Sequence, residues 1–443
     1  MKPYPRAAIV IAIVAILAVA LTYFDAARLG FFWDDYLILR PRPWTELLRV
    51  WHGSWDTTGI VPLFYRPLAV WTDTAAFTLL GFDERWLRLT ALVELGLGAW
   101  LVGLFVYREA ASVWLGAFAS ALFAVHPAVS QSAGPWWFEQ NHRFSVILVA
   151  LALLAWQSRR SALTWISWWP IHLSILVGSW FKEDVLALAP LLLVLQWWRA
   201  RVAADIPRLT PRFVAAVTAA WALWFGFRWW LLGVVAGRPI GGALDDWADR
   251  LHHAGRGLWL TFIRVRAMQG EVAFVHQVAT IALVIAAALA LWTARRASIR
   301  ARVLMGYGLV AGAAFNLPVA LASYPTRYHL IAIGAVFLLT GTAAGLFDAA
   351  PHRRFVVAAT STTLVVVLAL SSRANMRIYA PCTEANLHLD VELRTWLERT
   401  PYWTHSWILP WLDDKAIRCA EHRYVPVTIA IPDVLRGVRE GRR

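Results

Sequence analysis

The most regular feature of the chain is a succession of apolar runs separated by polar breaks. They lie at Ala7–Tyr23, Trp86–Tyr107, Ala111–Val129, Phe144–Trp156, Leu163–Trp180, Val185–Trp198, Phe213–Val234, His276–Trp292, Val303–Leu321, His329–Leu346 and Phe355–Leu370. A helix crosses a bilayer with roughly 17 to 25 predominantly apolar residues. The pattern therefore predicts an all-α polytopic membrane protein with about 11 transmembrane helices, several of them short or interrupted by Pro. The first run follows the basic start Met1-Lys2-Pro3-Tyr4-Pro5-Arg6. It is longer than the apolar core of a signal peptide and no small-residue cleavage site follows it, so it reads as a retained anchor.

The polar breaks alternate in charge. The N-terminal tail, Arg108 with Glu109, Arg159-Arg160, Arg199 to Arg212, Arg295 to Arg302, and Asp348 to Arg354 together hold fifteen Lys or Arg against three acids. Twenty-four of the 28 acids fall in the other breaks and the C-terminal tail. Cytoplasmic loops are enriched in Lys and Arg, which predicts a cytoplasmic N-terminus, an extracytoplasmic C-terminus and a place in the cell inner (plasma) membrane. Residues 1–370 then form the membrane domain, with outer loops at 24–85 and 235–275. Residues 371–443 form a small extracytoplasmic domain. It carries both cysteines, Cys382 and Cys419, a pattern that fits a disulfide as well as two free thiols.

Within the first outer loop, Trp44, Leu47, Leu48, Trp51 and Trp55 make one apolar stripe at helical spacing. Leu244, Trp247, Leu251, Leu258 and Phe262 repeat it in the second. Both predict helices lying in the membrane interface, either to seat a lipid or simply to pack on the bundle.

Composition narrows the class. Only 16% of the 443 residues are charged while 59% are hydrophobic, against about a quarter charged in soluble domains. The net charge of +14 is spread over short inner loops. It forms no basic face of the kind nucleic acid requires. The 28 Trp fit interfacial belts, with Trp33, Trp136 and Trp137 also candidates for stacking on sugar.

Candidate chemistry concentrates at the outer helix ends. Asp34-Asp35, flanked by Phe31-Phe32-Trp33 and Tyr36, follows the first run. Tyr65-Arg66-Pro67-Leu68 holds an Arg at a helix start. Phe123-Ala124-Val125-His126-Pro127 ends the third run, followed by Ser130-Gln131 and Trp136-Trp137-Phe138-Glu139-Gln140-Asn141-His142-Arg143. Lys182-Glu183-Asp184 fills a short turn, Arg228 stands alone within a run, and Tyr324-Pro325-Thr326-Arg327-Tyr328-His329 precedes another. Charges at membrane depth are costly unless they pair or bind something.

In this order the motifs resemble the polytopic GT-C glycosyltransferases, most closely the protein O-mannosyltransferase-related branch that includes the TMTC proteins and their bacterial relatives. The similarity spans residues 30 to about 345. The Tyr-Arg-Pro-Leu and Phe-Ala-Val-His-Pro elements are its most specific parts. It implies a helical bundle with an extracytoplasmic cavity, a polyprenyl-phosphate-linked sugar donor, Asp34 or Asp35 as base, and Arg327 near the lipid phosphate. Lys182 and Glu183 match the family's Lys-Glu turn. Arg66, His126 and Tyr328 join Arg327 and Lys182 as donor-phosphate candidates. Glu183, Tyr65, Glu139, His142, Arg143 and Trp137 are candidates for positioning substrate. Two departures bear on the acceptor: Gln131 stands where the relatives have Glu, and Glu139–Arg143 replaces a Gly-Arg-Ala-Asp segment. The tetratricopeptide repeats of TMTC proteins are absent.

The chemistry makes demands of its own. Sugar transfer from a lipid phosphate needs a carboxylate for the acceptor hydroxyl and cations for the departing phosphate, Arg327 and Lys182 first with Arg66 and Arg228 behind them. Direct displacement would invert the anomeric centre. A divalent metal (Mg or Mn), if used, would fall to Asp34, Asp35 and Glu183, although no ligand spacing is diagnostic. The acceptor is an extracytoplasmic protein, glycan or lipid, and membrane lipids are the other partners. The main alternative is a transporter or flippase of a lipid-linked or sugar substrate. Such proteins place their sites near the midplane and often show repeats. Here the motifs gather on one face without a repeat.

Overall fold

The computed structural model describes residues 4–28, 42–53, 65–81, 83–132, 140–233, 255, 274–294, 297–322, 330–349, 352 and 354–377. Among them the regular structure is helical and contains no strand. The helices are α1 (Tyr4–Tyr23), α2 (Trp44–Arg49), α3 (Pro67–Leu80), α4 (Glu84–Ala110), α5 (Val113–Val125), α6 (Pro127–Ser132) and α7 (Gln140–Arg159). They continue with α8 (Trp169–Phe181), α9 (Leu188–Val202), α10 (Pro211–Leu232), α11 (Phe274–Ala294), α12 (Ile299–Ala322), α13 (Leu330–Ala349) and α14 (Arg354–Arg377). Each of the eleven apolar runs overlaps a helix, and the run 111–129 is divided between two, α5 and α6. Five segments are long and apolar enough to cross a membrane: Pro5–Ala26, Arg85–Ala110, Glu183–Val202, Ala332–Ala349 and Arg354–Ala374. The protein is therefore an all-α protein of membrane type.

Local chemistry explains where the helices start and stop. Asp83 accepts hydrogen bonds from the amides of Arg85 and Trp86 at the start of α4. Ser112 and Thr210 cap α5 and α10 in the same way, each satisfying amide groups that a first turn leaves unbonded. Two predicted runs are shorter as helices than as apolar stretches. The run 111–129 breaks at His126, whose extended backbone ends α5 because Pro127 disfavours helical geometry in the residue before it. The run from Leu163 turns helical only at Trp169, with Pro170 in the first turn. Before it, Thr164 and Ser167 trade side-chain and backbone hydrogen bonds that compete with a helix.

The first interfacial stripe also ends early. α2 stops at Arg49, before Trp51, with Leu47 buried and Trp71 donating to the Leu47 carbonyl. The second stripe lies outside the described residues apart from Gly255, as do Trp55, Cys382, Cys419 and the tail beyond Arg377.

Small residues set the closest packing. A Cβ built at Gly308 of α12 would lie 2.4 Å from the Leu338 amide of α13, and one at Gly334 only 2.6 Å from the Gly312 amide. Gly103 of α4 and Gly116 of α5 approach each other and Ile11 of α1 in the same manner. Backbone contact through small residues is how helices associate where lipid removes the hydrophobic drive between them.

The two ends of the bundle differ in chemistry. At one end the buried carboxylate of Glu109 accepts hydrogen bonds from Gln157 (2.7 Å), Arg160 and Arg199. Arg199 also bonds Asp205 through Nε at 3.0 Å. Burial pushes the Asp205 carboxyl up, but the hydrogen bond and charge of Arg199 outweigh this and hold it below the usual carboxylate range. Gln196 donates to the carbonyls of Arg160 and Pro207. Arg300 bonds the Ala110 carbonyl and Asp348. Five of the six Arg-rich segments recognised in the sequence thus meet at one end and bind one another. At the opposite end Tyr23 donates to the Ala124 carbonyl, Ser372 to the Val125 carbonyl, and Arg373 pairs with Asp25 at 2.9 Å.

Candidate functional site

The candidate site is built where the start of α3, the turn after α8 and the last turns of α10 converge. Arg66 caps α3 ahead of Pro67, a residue suited to the first helical position because its ring fixes φ there. The cap projects the buried guanidinium toward the 3-10 turn Glu183–Ala187 that links α8 to α9. Gly178 lets this turn fold back closely, since a Cβ there would meet Val185 Cγ1 at 2.7 Å. The chain reverses at Lys182, whose extended backbone ends α8 while its amide donates to the Gly178 carbonyl at 2.8 Å. Phe181 stacks on Phe144 of α7 at 4.5 Å, which anchors the turn, and the turn itself packs against α12.

Arg66 and Glu183 form a two-pronged pair, Nε to Oε2 at 3.0 Å and Nη2 to Oε1 at 2.8 Å. Such a fork matches the planar geometry of guanidinium and carboxylate. Lys182 Nζ stands 3.8 Å from Asp184 Oδ2, an ion pair longer than a hydrogen bond. Arg228, which the sequence presents as solitary, belongs to this group: its charge interacts with those of Glu183, Arg66 and Asp184. It is 1% exposed. Among the described residues, three cations and two carboxylates share a buried site, a density of charge that needs matched partners or a ligand.

Tyr65 forms the aromatic wall. Its hydroxyl donates to the Trp51 carbonyl at 3.2 Å. Its ring lies 6.2 Å from both Trp224 and Phe227 of α10. Burial raises the phenol above its ordinary value, so the group acts as a hydrogen-bond donor.

A second buried group lies between α4 and α7. Arg143 Nε donates to Glu94 Oε2 at 2.8 Å and Gln140 Nε2 to Glu94 Oε1 at 3.2 Å. His142 is buried beside them in the chain. Glu94 is absent from the sequence reading, although a single acid inside an apolar run is itself a signal. His126 ends α5 and accepts the Ala128 amide on Nδ1 at 3.2 Å, as a residue shaping the helix break would.

The structure thus brings together Tyr65, Arg66, Lys182, Glu183, Asp184 and Arg228, and directs Arg143 to Glu94. Asp34, Asp35, Trp137, Glu139, Arg327 and Tyr328 lie outside the described residues. Among the described residues no three His, Cys, Asp or Glu side chains converge in a way that could hold a metal ion, and both oxygens of Glu183 are engaged by Arg66. Chemically, the arrangement can bind an anion in a buried, low-dielectric setting where a cation is worth far more than in water.

Compared with protein-family models, curated proteins and solved structures, the chain matches none of them.

Proposed function

We propose that this chain is a membrane glycosyltransferase of GT-C type. It would move a sugar from a polyprenyl-phosphate-linked donor to an extracytoplasmic acceptor, protein, glycan or lipid. In this reading the eleven apolar runs, several of them short, all span the inner membrane, with the Glu109 end in the cytoplasm and the Arg66–Glu183 end outside. A carboxylate, Asp34 or Asp35, takes the acceptor hydroxyl proton. The oxygen attacks the anomeric carbon, the bond from that carbon to the phosphate oxygen breaks with its electron pair leaving on phosphate, and the configuration inverts. The departing group is a lipid phosphate monoester, so the leaving side needs cations more than a proton. Lys182 and Arg327 are the first candidates, with Arg66 held in place by Glu183.

The observation that carries the reading is the cation-rich buried cluster of Arg66, Lys182 and Arg228 around Glu183, at the end of the bundle away from the Glu109 network. The same asymmetry weighs against a transporter. Alternating access requires both ends to open, and opening the Glu109 end would strip a buried carboxylate of its Arg and Gln partners. The test is transfer in reconstituted membranes, with purified protein and polyprenyl-phosphate sugars labelled in the sugar. Label should leave the lipid in the wild type and remain on it in Asp34→Asn or Asp35→Asn at equal expression and folding. Full activity in both variants would remove the base assignment. Counterflow of intact labelled lipid without cleavage would replace the enzyme by a transporter.

A further inference from the structure

Among the described residues of the cluster, Asp184 Oδ2 and two nitrogens of Arg228 are buried without a hydrogen-bond partner, and the unmet donors are those of Arg228. Arg66 is tied to Glu183 by two hydrogen bonds and Lys182 stands against Asp184. Arg228, 1% exposed, has Nε and Nη2 buried without an acceptor among the described residues. A buried guanidinium normally exhausts its five donors. Leaving them unmet carries the full desolvation cost of a charged group.

A second unmet donor lies beside it. Trp224 precedes Arg228 by four residues, hence on the same face of α10, and its buried indole Nε1 also lacks an acceptor. Trp224 stacks on Phe227 at 5.5 Å and faces Tyr65. One turn further back, Trp221 Nε1 is likewise buried without a partner. The inward stripe of α10 therefore presents a cation and neighbouring N–H donors on an aromatic wall.

We propose that Arg228, with Trp224, seats the phosphate ester of a membrane amphiphile whose chain lies along the aromatic stripe of α10. The inference rests on the reading of this site as one that acts on a lipid phosphate. It makes α10 the element that fixes the anion, with Arg66–Glu183 as its rigid backing. Phosphate supplies several acceptor oxygens and a negative charge, which meet the unmet donors and compensate the guanidinium together. An uncharged sugar alone would leave the charge unanswered.

The test uses the full chain in phosphatidylcholine nanodiscs with radiolabelled farnesyl phosphate as probe. Farnesol serves as the uncharged control and inorganic phosphate as the chain-free one. Wild type should bind farnesyl phosphate and not farnesol. Arg228→Gln should weaken binding at least about tenfold, the loss of one charge-assisted contact. Trp224→Phe, which keeps the ring and removes the donor, should weaken it a few-fold. Without ligand, Arg228→Gln should melt at or above the wild type, because an unmet buried charge is gone.

Wild-type affinity in both variants overturns the proposal. So does a ligand-free Arg228→Gln that melts several degrees lower, which would make Arg228 the structural counter-ion of Glu183. Trp224→Phe keeps the question open to refutation should Arg228→Gln not fold. Displacement of the probe by inorganic phosphate at matching concentration would make the ligand free phosphate and remove the amphiphile. Binding as expected with no sugar transfer from any lipid-linked donor would instead refute the glycosyltransferase reading and leave the anion seat standing.

Discussion

Replacing Glu109 by Gln tests whether the Arg-rich end of the bundle is held by its central carboxylate. The side chain of Glu109 is 1% exposed, and those of Arg160 and Arg199 are 18% and 11% exposed. An amide in its place keeps one acceptor oxygen but loses the charge that both guanidinium groups face. Hydrogen bonds to charged groups contribute about 1.5–3 kcal/mol each, and removing one partner of a buried pair costs about 3–5 kcal/mol. Arg199 retains Asp205 and Arg160 reaches some solvent, so the lower part of that range applies, about 3 kcal/mol. The built-in control is Asp348→Asn. It breaks the Arg300 pair, whose side chains are 38% and 29% exposed, a setting in which ion pairs contribute at most about 1 kcal/mol. Reversible unfolding in mixed micelles, read by tryptophan emission and near-UV dichroism, gives both values. If Glu109→Gln costs no more than Asp348→Asn, the network does not hold this end together and the argument against a transporter loses its support.

Two further outcomes follow from contacts already described. Arg66→Lys keeps the charge but cannot form the fork to Glu183, so it should lower stability by about 1.5–3 kcal/mol and reduce sugar transfer more than conservative exchange usually would, read by the same unfolding and transfer measurements. Gly308→Ala places a methyl 2.4 Å from the Leu338 amide and should cost about 1–3 kcal/mol of overpacking, whereas Gly226→Ala, with nothing within 4 Å of its Cβ, should be neutral or stabilise by up to about 1 kcal/mol through helix propensity. Equal melting temperatures for the two glycine variants would sink the close-packing account of α12 and α13.

The helices were legible because their signal is local. Every apolar run falls on helix, one of them divided in two, and the charge bias of the breaks anticipated which segments meet at the Glu109 end. Boundaries were less legible where side chains compete with the helix: the Thr164–Ser167 exchange and the Pro127 break shorten two runs that hydropathy alone extends. The site was legible in its motifs but not in its pairings. Arg228 looked solitary because its electrostatic partner, Glu183, lies on a different helix connection, and nothing local in a sequence announces such a meeting. Glu94 was hidden for the opposite reason, submerged in apolar neighbours, with its partner Arg143 assigned elsewhere.

The contrast between the ends gives these pairings a functional meaning. At the Glu109 end, among the described residues, Glu109, Arg160, Arg199, Asp205, Arg300 and Asp348 each bond a counter-charge, although Arg300 Nε has no acceptor, and the interactions link segments that are far apart in sequence. That arrangement resists separation of the helices. At the other end the bonded pair Arg66–Glu183 fixes geometry while Arg228 and Trp224 keep donors unmet, at a cost in stability that packing elsewhere must offset. Strain of this kind persists where the surrounding structure over-determines it, and a ligand that relieves it binds more tightly by the same amount. A substrate anion arriving at Arg228 would therefore be held by interactions the protein has already positioned. The closed Glu109 end would keep the bundle from yielding as the charge settles.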